Sequence, residues 1–181
     1  MRKAALCLLI VACGSAAYAQ QEKNEQNSPA KHSEMVKRGE HEMGFSQEKT
    51  THHFLLYADG GAIAVAANLP DDAKSREEIR THLGHIAMMF AAGNFEAPMF
   101  IHNTPGHNTP GQNATPPGVA TMTKLHDQIA YLYEETPNGG RVRISSKNGQ
   151  AVDAIHAFLL FQIVEHQTGD SPAIAELSPE R

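Results

Sequence analysis

The sequence contains no tryptophan and only two cysteines, Cys7 and Cys13, both near the N-terminus. Residues 1–19 combine a basic start, an apolar run and an Ala-Tyr-Ala end, which is typical of a secretory signal peptide. Cleavage near Ala19 removes both cysteines and leaves no disulfide, no thiolate nucleophile and no thiolate metal ligand. The sequence therefore predicts an exported protein, periplasmic or secreted, whose fold is held by its core alone.

A second interpretation of the N-terminus is a lipoprotein anchored at Cys13, because Ile10-Val11-Ala12-Cys13 resembles a lipobox. The apolar run before it is short and Ile stands where Leu is usual, so cleavage near Ala19 is preferred. After residue 19 no apolar stretch approaches the length of a membrane-spanning helix, and no membrane span is predicted.

Basic residues are in the minority. Without Arg2 and Lys3, 13 of the 15 basic residues remain against 20 acidic ones, a net charge of −7. Binding to a phosphate backbone needs a basic face, so the charge argues against a nucleic-acid partner.

Catalytic motifs are also absent: the chain has no G-x-S-x-G, P-loop, G-x-G-x-x-G or H-E-x-x-H sequence. No catalytic or cofactor-binding residues are assigned, and an enzyme is the less favoured class. A metal-dependent hydrolase, with Glu40 or Glu42 as the base for a metal-bound water, is the third-ranked hypothesis.

What the sequence does contain is the same order of elements twice. Residues 52–67 form a predicted hairpin around Asp59-Gly60-Gly61, and a helix follows over residues 73–92. Residues 129–147 form a second predicted hairpin, and a helix follows over residues 150–167. The pattern predicts an α+β fold: an antiparallel sheet from two β-hairpins, with two helices on one face, as a pseudo-duplicated strand-strand-helix domain.

The segments around these elements are polar or rich in proline and glycine. Residues 20–40 are predicted to be a disordered leader in which Met35 is solvated. Residues 94–120, which contain HNTPG twice, are predicted to be a long Pro/Gly loop inside a single domain spanning residues 41–170. Residues 171–181 form a frayed tail.

Histidine and methionine are the unusual part of the composition, because all 11 histidines lie after residue 19. On the first helix, four residues at helical spacing form the predicted core stripe: Ile79, Leu83, Ile86 and Phe90. His82, His85 and Met89 occupy the adjacent flank, where side chains three and four apart lie one above another. Two imidazoles and a thioether on one flank predict a metal site.

Other segments supply further candidate ligands. His41 and Met43 precede the first strand, and His52 and His53 are consecutive within it, so only one of that pair can face the helix. His156 lies within the apolar face of the second helix. The histidines of the HNTPG repeat, including His102 and His107, form a separate, weaker candidate.

The leading hypothesis is an exported transition-metal-binding protein. Imidazole with thioether, in a chain without cysteine, suits copper best, whereas zinc would accept histidines with a carboxylate or water. Packing offers a simpler explanation of every one of these residues, since partly buried histidines often bond to backbone groups and methionine fills gaps.

The second hypothesis is a non-catalytic interaction module or a dimer without metal. On the second helix the predicted buried stripe is Val152, Leu159 and Ile163, while Phe158 and Phe161 fall on the opposite side. Two phenylalanines away from the core stripe indicate a second buried surface, such as a homodimer interface. The simpler explanation is a helix that the long loop covers on its second side.

Three stretches, MGFSQEKTTHHF, HLGHIAMMFAAGNFEAPMFIH and GGRVRI with AIHAFLLFQIVEH, resemble a group of small exported bacterial proteins of uncharacterised function. The resemblance covers roughly residues 38–170 and implies a bacterial, periplasmic setting. It carries no catalytic residues across.

Overall fold

The computed structural model describes residues 29–102 and 115–175. The predicted signal peptide, the HNTPG repeat beyond His102 and the end of the tail lie outside these residues. Within the described part of the chain, no helix combines the length and the apolar character needed to cross a membrane.

Two β-hairpins build one four-stranded antiparallel sheet. The strands are β1 (Thr50–Tyr57), β2 (Gly60–Ala67), β3 (Ile129–Thr136) and β4 (Gly139–Ser146). Their order in the sheet is β1-β2-β4-β3, so the inner strands of the two hairpins pair with each other. The predicted hairpins and the α+β class are confirmed.

The helices in the described residues are α1 (Pro29–Met43), α2 (Ala73–Ala91), α3 (Glu96–His102), α4 (Val119–Lys124) and α5 (Gly149–Glu165). The side chain of Asp72 caps the N-terminus of α2 by accepting from the Ser75 amide, 2.9 Å away. Asn148 caps α5 in the same way. Both long helices lie on one face of the sheet, as predicted: α2 lies over β3 and β4, and α5 over β1 and β2.

Two segments predicted to lack structure contain helices. The prediction of a disordered leader over residues 20–40 is wrong from Pro29 onward, because α1 begins there, and Met35 is buried with 3% of its surface exposed. Arg38 Nε donates to the Ile101 carbonyl at 2.9 Å and joins α1 to α3. A few well-placed apolar side chains and one such bond anchor α1, and composition alone does not reveal them.

The predicted loop over residues 94–120 is also partly helical. It contains α3 at its start and α4 near its end. Each short helix buries apolar side chains: Ile101 in α3, and Val119 and Met122 in α4. Proline is compatible with α3 because Pro98 lies near the beginning of the helix, where its missing amide has no helical partner to lose.

The core stripe predicted for α2 is confirmed, since all four of its residues are buried. The stripe predicted for α5 is only partly right: Leu159 and Ile163 are buried, but Val152 is half-buried. The buried face of α5 also includes residues outside the predicted stripe, namely Ala151, Ala154, Ile155, Phe158 and Gln162.

The predicted homodimer interface is wrong for Phe158, whereas the simpler explanation, a second covered side of the helix, agrees with its burial. Only 1% of Phe158 is exposed, and its ring packs edge-on against Phe90 and Phe95, with centroids 6.2 and 6.4 Å away. Phe161 is half-buried, with its ring edge-on to His102. The helix α4 packs against α5 and gives it a second covered side.

The segment after α5 is tied to the sheet through Asp170. Its carboxylate accepts from the Phe54 amide at 2.9 Å, from Thr168 Oγ1 at 2.7 Å and from His53 Nδ1 at 2.8 Å. Burial acts to raise the pKa of Asp170, but these hydrogen bonds outweigh it and hold the pKa below its usual value. Farther along, the Ala175 amide donates to Leu56 and covers part of the edge of β1.

Replacing Asp170 with alanine is expected to destabilise the protein by about 1–3 kcal/mol, because the Phe54 amide loses its acceptor in a partly buried position. Denaturant unfolding at neutral pH measures the loss, with Asp153→Ala, an exposed aspartate on α5, as the control. Because the folded pKa is lowered, the difference between wild type and variant should shrink as the pH falls below the usual aspartate value. Equal stabilities of the two variants would contradict this role of Asp170.

Candidate functional site

Four imidazoles line one cavity between α2, α5 and the sheet. We call this space the histidine cavity and define it by His52 on β1, His82 on α2, His102 on α3 and His166 at the end of α5. Its volume is about 70 Å³, enough for one ion or a few water molecules. The remaining lining is apolar apart from Gln162: Met43, Phe54, Ile63, Val65, Leu83, Ile86, Phe90, Ala97, Pro98, Ile101 and Phe158.

Strand geometry decides which member of the His52-His53 pair reaches the cavity. Neighbouring side chains on a strand point to opposite faces, so His52 faces the helices and His53 faces away. His53 is half-exposed and bonded to Asp170. The prediction that only one of the pair can approach the helix is confirmed, and that one is His52.

The His52 ring lies in an aromatic stack. Its centroid is 5.9 Å from that of Phe45 and 5.9 Å from that of His166, with interplanar angles of 23° and 17°. Its Nε2 atom is buried and has no hydrogen-bond partner among the described residues. A buried nitrogen without a partner is costly, so it marks a place where a ligand would be stabilised.

Burial keeps His52 and His82 neutral. Burial, with smaller contributions from the nearby His82 and His53, lowers the pKa of His52 from its ordinary value of 6.5 to about 4. Burial also lowers the pKa of His82 to about 4, with a smaller contribution from His85. A neutral imidazole offers a nitrogen lone pair, which is the form that binds a metal ion.

His102 and His166 complete the lining. His102 Nε2 donates to the Gln162 amide oxygen at 2.9 Å, and its Nδ1 lies 4.0 Å from Glu165 Oε2. The His166 ring stands edge-on to His102, with centroids 5.4 Å apart. These two histidines therefore belong to a polar network on α5 as well as to the cavity.

The predicted ligands are only partly brought together. His52, His82 and Met43 line the histidine cavity, whereas His41, His53 and His85 are exposed outside it.

The two other predicted ligands also lie outside the cavity lining. Met89 is half-buried. His156 Nε2 lies 2.8 Å from the Tyr57 carbonyl, the backbone bond that the simpler packing explanation expects. The combination of His82, His85 and Met89 as one site is therefore not what the fold assembles.

His102 and His166 were missed as partners of this site. His102 was assigned to the loop repeat, although it ends a helix and is buried. His166 could have been found from its spacing, because Phe158, Gln162 and His166 follow one another at intervals of four residues and share one face of α5.

Among the described residues, imidazoles and carboxylates alone do not form a metal-binding cluster. In the described part of the chain, no three histidine, aspartate or glutamate side chains are grouped so that they hold a metal ion. The stacking explains this for His52 and His166, since an imidazole lone pair lies in the ring plane and parallel rings direct their lone pairs alongside each other. Methionine sulfur, which Met43 brings to the cavity, is a donor of a different kind.

Comparison of the chain with protein-family models, with curated proteins and with solved structures gives no match. Functional inference therefore depends on the chemistry of the cavity.

Proposed function

We propose that this protein binds a transition metal ion, copper, in the histidine cavity, through His52, His82 and Met43. The observation that carries the proposal is the buried, unpartnered Nε2 atom of His52 in a cavity that also contains the His82 imidazole and the Met43 side chain. Two neutral imidazoles and a thioether are a ligand set that favours copper over magnesium or calcium, which prefer oxygen donors.

Zinc is the alternative metal, and the lining makes it the weaker choice. Structural zinc is bound tetrahedrally by four ligands, commonly cysteines and histidines. The lining residues include neither a cysteine nor a carboxylate.

The same lining gives the hydrolase hypothesis no support. Glu40 accepts hydrogen bonds from Ser46 and the Gln47 amide, and Glu42 is exposed, so neither faces the imidazoles as a base. Phe158 is buried in the core, so it does not support the dimer hypothesis. Metal binding is accordingly the function that this arrangement supports best.

The compartment in this proposal comes from the N-terminal sequence. Residues 1–19 are typical of a secretory signal, which supports a location outside the cytoplasm, in the periplasm or the medium. Copper handling in such a compartment is compatible with a ligand set that contains no cysteine.

The variant His52→Leu/His82→Leu is expected to lose copper binding. Leucine removes both nitrogen donors while keeping an apolar side chain of similar size in the cavity. After treatment with a chelator and gel filtration, the wild type should take up about one copper ion per chain, measured by elemental analysis and titration. The variant should bind no copper ion with the wild-type affinity. Circular dichroism should show that the variant remains folded.

The matched control is His41→Ala/His85→Ala, which removes two exposed histidines outside the cavity lining. It should bind copper like the wild type. Equal, weak uptake by the wild type and both variants would mean that copper binds only to surface histidines, and the proposal would be wrong.

A further inference from the structure

We infer that the histidine cavity selects copper in its singly charged, cuprous state, with Met43 as the sulfur ligand beside His52 and His82. The inference rests on the proposed function and adds the oxidation state and the selectivity of the same site.

The first argument is the charge of the cavity. Its lining residues carry no carboxylate, and most of the surface comes from side chains such as Phe54, Val65 and Ile86. The cost of moving an ion from water into an apolar environment rises with the square of its charge. Glu165 Oε2 lies 4.0 Å from His102 Nδ1 but Glu165 does not line the cavity. An ion held by the lining residues therefore has no carboxylate ligand, and a doubly charged ion is disfavoured more strongly than a singly charged one.

The second argument is the number and kind of donors. Cupric and zinc ions favour sites with more nitrogen or oxygen ligands, in tetragonal or tetrahedral arrangements. The described residues contain no such cluster of three histidine or acidic side chains. Cuprous copper accepts fewer donors and prefers soft ones, so two imidazoles and one thioether suffice.

The third argument is the position of Met43. It is the last residue of α1, is buried with 8% of its surface exposed, and faces the cavity. Gly39 leaves space for the side chains of Gln47 and Met43, because a Cβ atom there would clash with Gln47 Nε2 and would lie 3.2 Å from Met43 Cε. Met43, at the end of α1, thus places a thioether in the lining of a cavity whose polar side chains are four histidines and Gln162.

The test compares Met43→Leu with Met35→Leu. Leucine keeps the buried apolar volume but removes the sulfur. Met35 is a buried methionine on the same helix that does not line the cavity. Cuprous copper is supplied without oxygen as its bicinchoninate complex, and cupric and zinc ions are titrated separately into the chelator-treated protein.

The wild type is expected to take cuprous copper from the chelator and to bind cupric and zinc ions much more weakly. Met43→Leu should weaken cuprous binding by at least about 10–100-fold, the loss that changes even in outer-shell partners cause, while Met35→Leu should match the wild type. X-ray absorption at the copper edge should show a sulfur neighbour in the wild type and in Met35→Leu, but not in Met43→Leu.

The results separate the two proposals. If none of the three ions binds to the cavity, the proposed function fails and this inference fails with it. If cupric or zinc ions bind as tightly as cuprous copper, or if Met43→Leu retains wild-type cuprous affinity, metal binding stands and the cuprous assignment is overturned.

Discussion

Replacing Phe158 with alanine is expected to lower the free energy of unfolding by about 3–5 kcal/mol, the usual cost of truncating a buried phenylalanine. Phe158 is 1% exposed, and its ring packs against Phe90 on α2 and Phe95, the residue before α3. Its removal would open a cavity that close-packed neighbours cannot fill completely. Denaturant unfolding followed by circular dichroism measures the loss of free energy. A Phe158→Ala variant that is already unfolded without denaturant would also agree with this prediction.

The control for this prediction is Phe100→Ala. Phe100 is 49% exposed on α3, so its truncation should change stability by much less. Sedimentation of the wild type and of both variants at matched concentration tests the dimer hypothesis at the same time. The prediction would be contradicted if the wild type were a dimer that dissociates on Phe158→Ala while the monomer keeps wild-type stability. Phe158 would then lie in an interface rather than in the core.

The metal-free protein is expected to lose stability as the pH falls from 6.5 towards 4. His52 and His82 have an ordinary pKa of 6.5 when unfolded and about 4 when folded, because burial disfavours the charged imidazole. Between these values the unfolded state binds more protons, so stability rises with pH across the window and the loss is complete only below the folded pKa. The effect is on the order of 3 kcal/mol for one imidazole, and the two are coupled to each other.

Unfolding free energies measured from pH 7 to pH 4 with a chelator present test this expectation. The slope against pH should be shallower for His52→Leu/His82→Leu, which has lost both buried imidazoles, than for the wild type. The control His41→Leu removes an exposed histidine and should keep the wild-type slope. If the unfolding free energies of the wild type and the double variant had the same slope against pH, His52 and His82 would not be the cause of the loss of stability in acid.

Predictions from the sequence agree with the structure where a local residue pattern is compatible with only one secondary structure and one buried face. The α2 stripe was identified because polar residues separate its apolar positions, so a single face satisfies the helical period. The hairpins were identified because glycine and asparagine mark the turns between alternating strands. The alternation in β1 also required one histidine to face the helices and the other to face away.

The buried face of α5 was assigned wrongly because its sequence is apolar on most sides. In such a helix the period does not select a face, and the neighbours decide which residues are buried. Here α4 packs on α5, and the rings of Phe90 and Phe95 surround Phe158. Leu160 and Val164 remain exposed although they are as apolar as the residues that are buried.

The amino-acid sequence by itself determined the strands, the long helices and the fact that only one of His52 and His53 faces the helices, because each of these depends on residues a few positions apart. Only the tertiary structure decided that His52, His82, His102 and His166 line one cavity while His85 and His156 do not. The reason is physical: the cavity forms where α1, α2, α3 and α5 meet above β1, and contacts between segments so distant along the chain are set by packing of the whole domain, which no local spacing encodes.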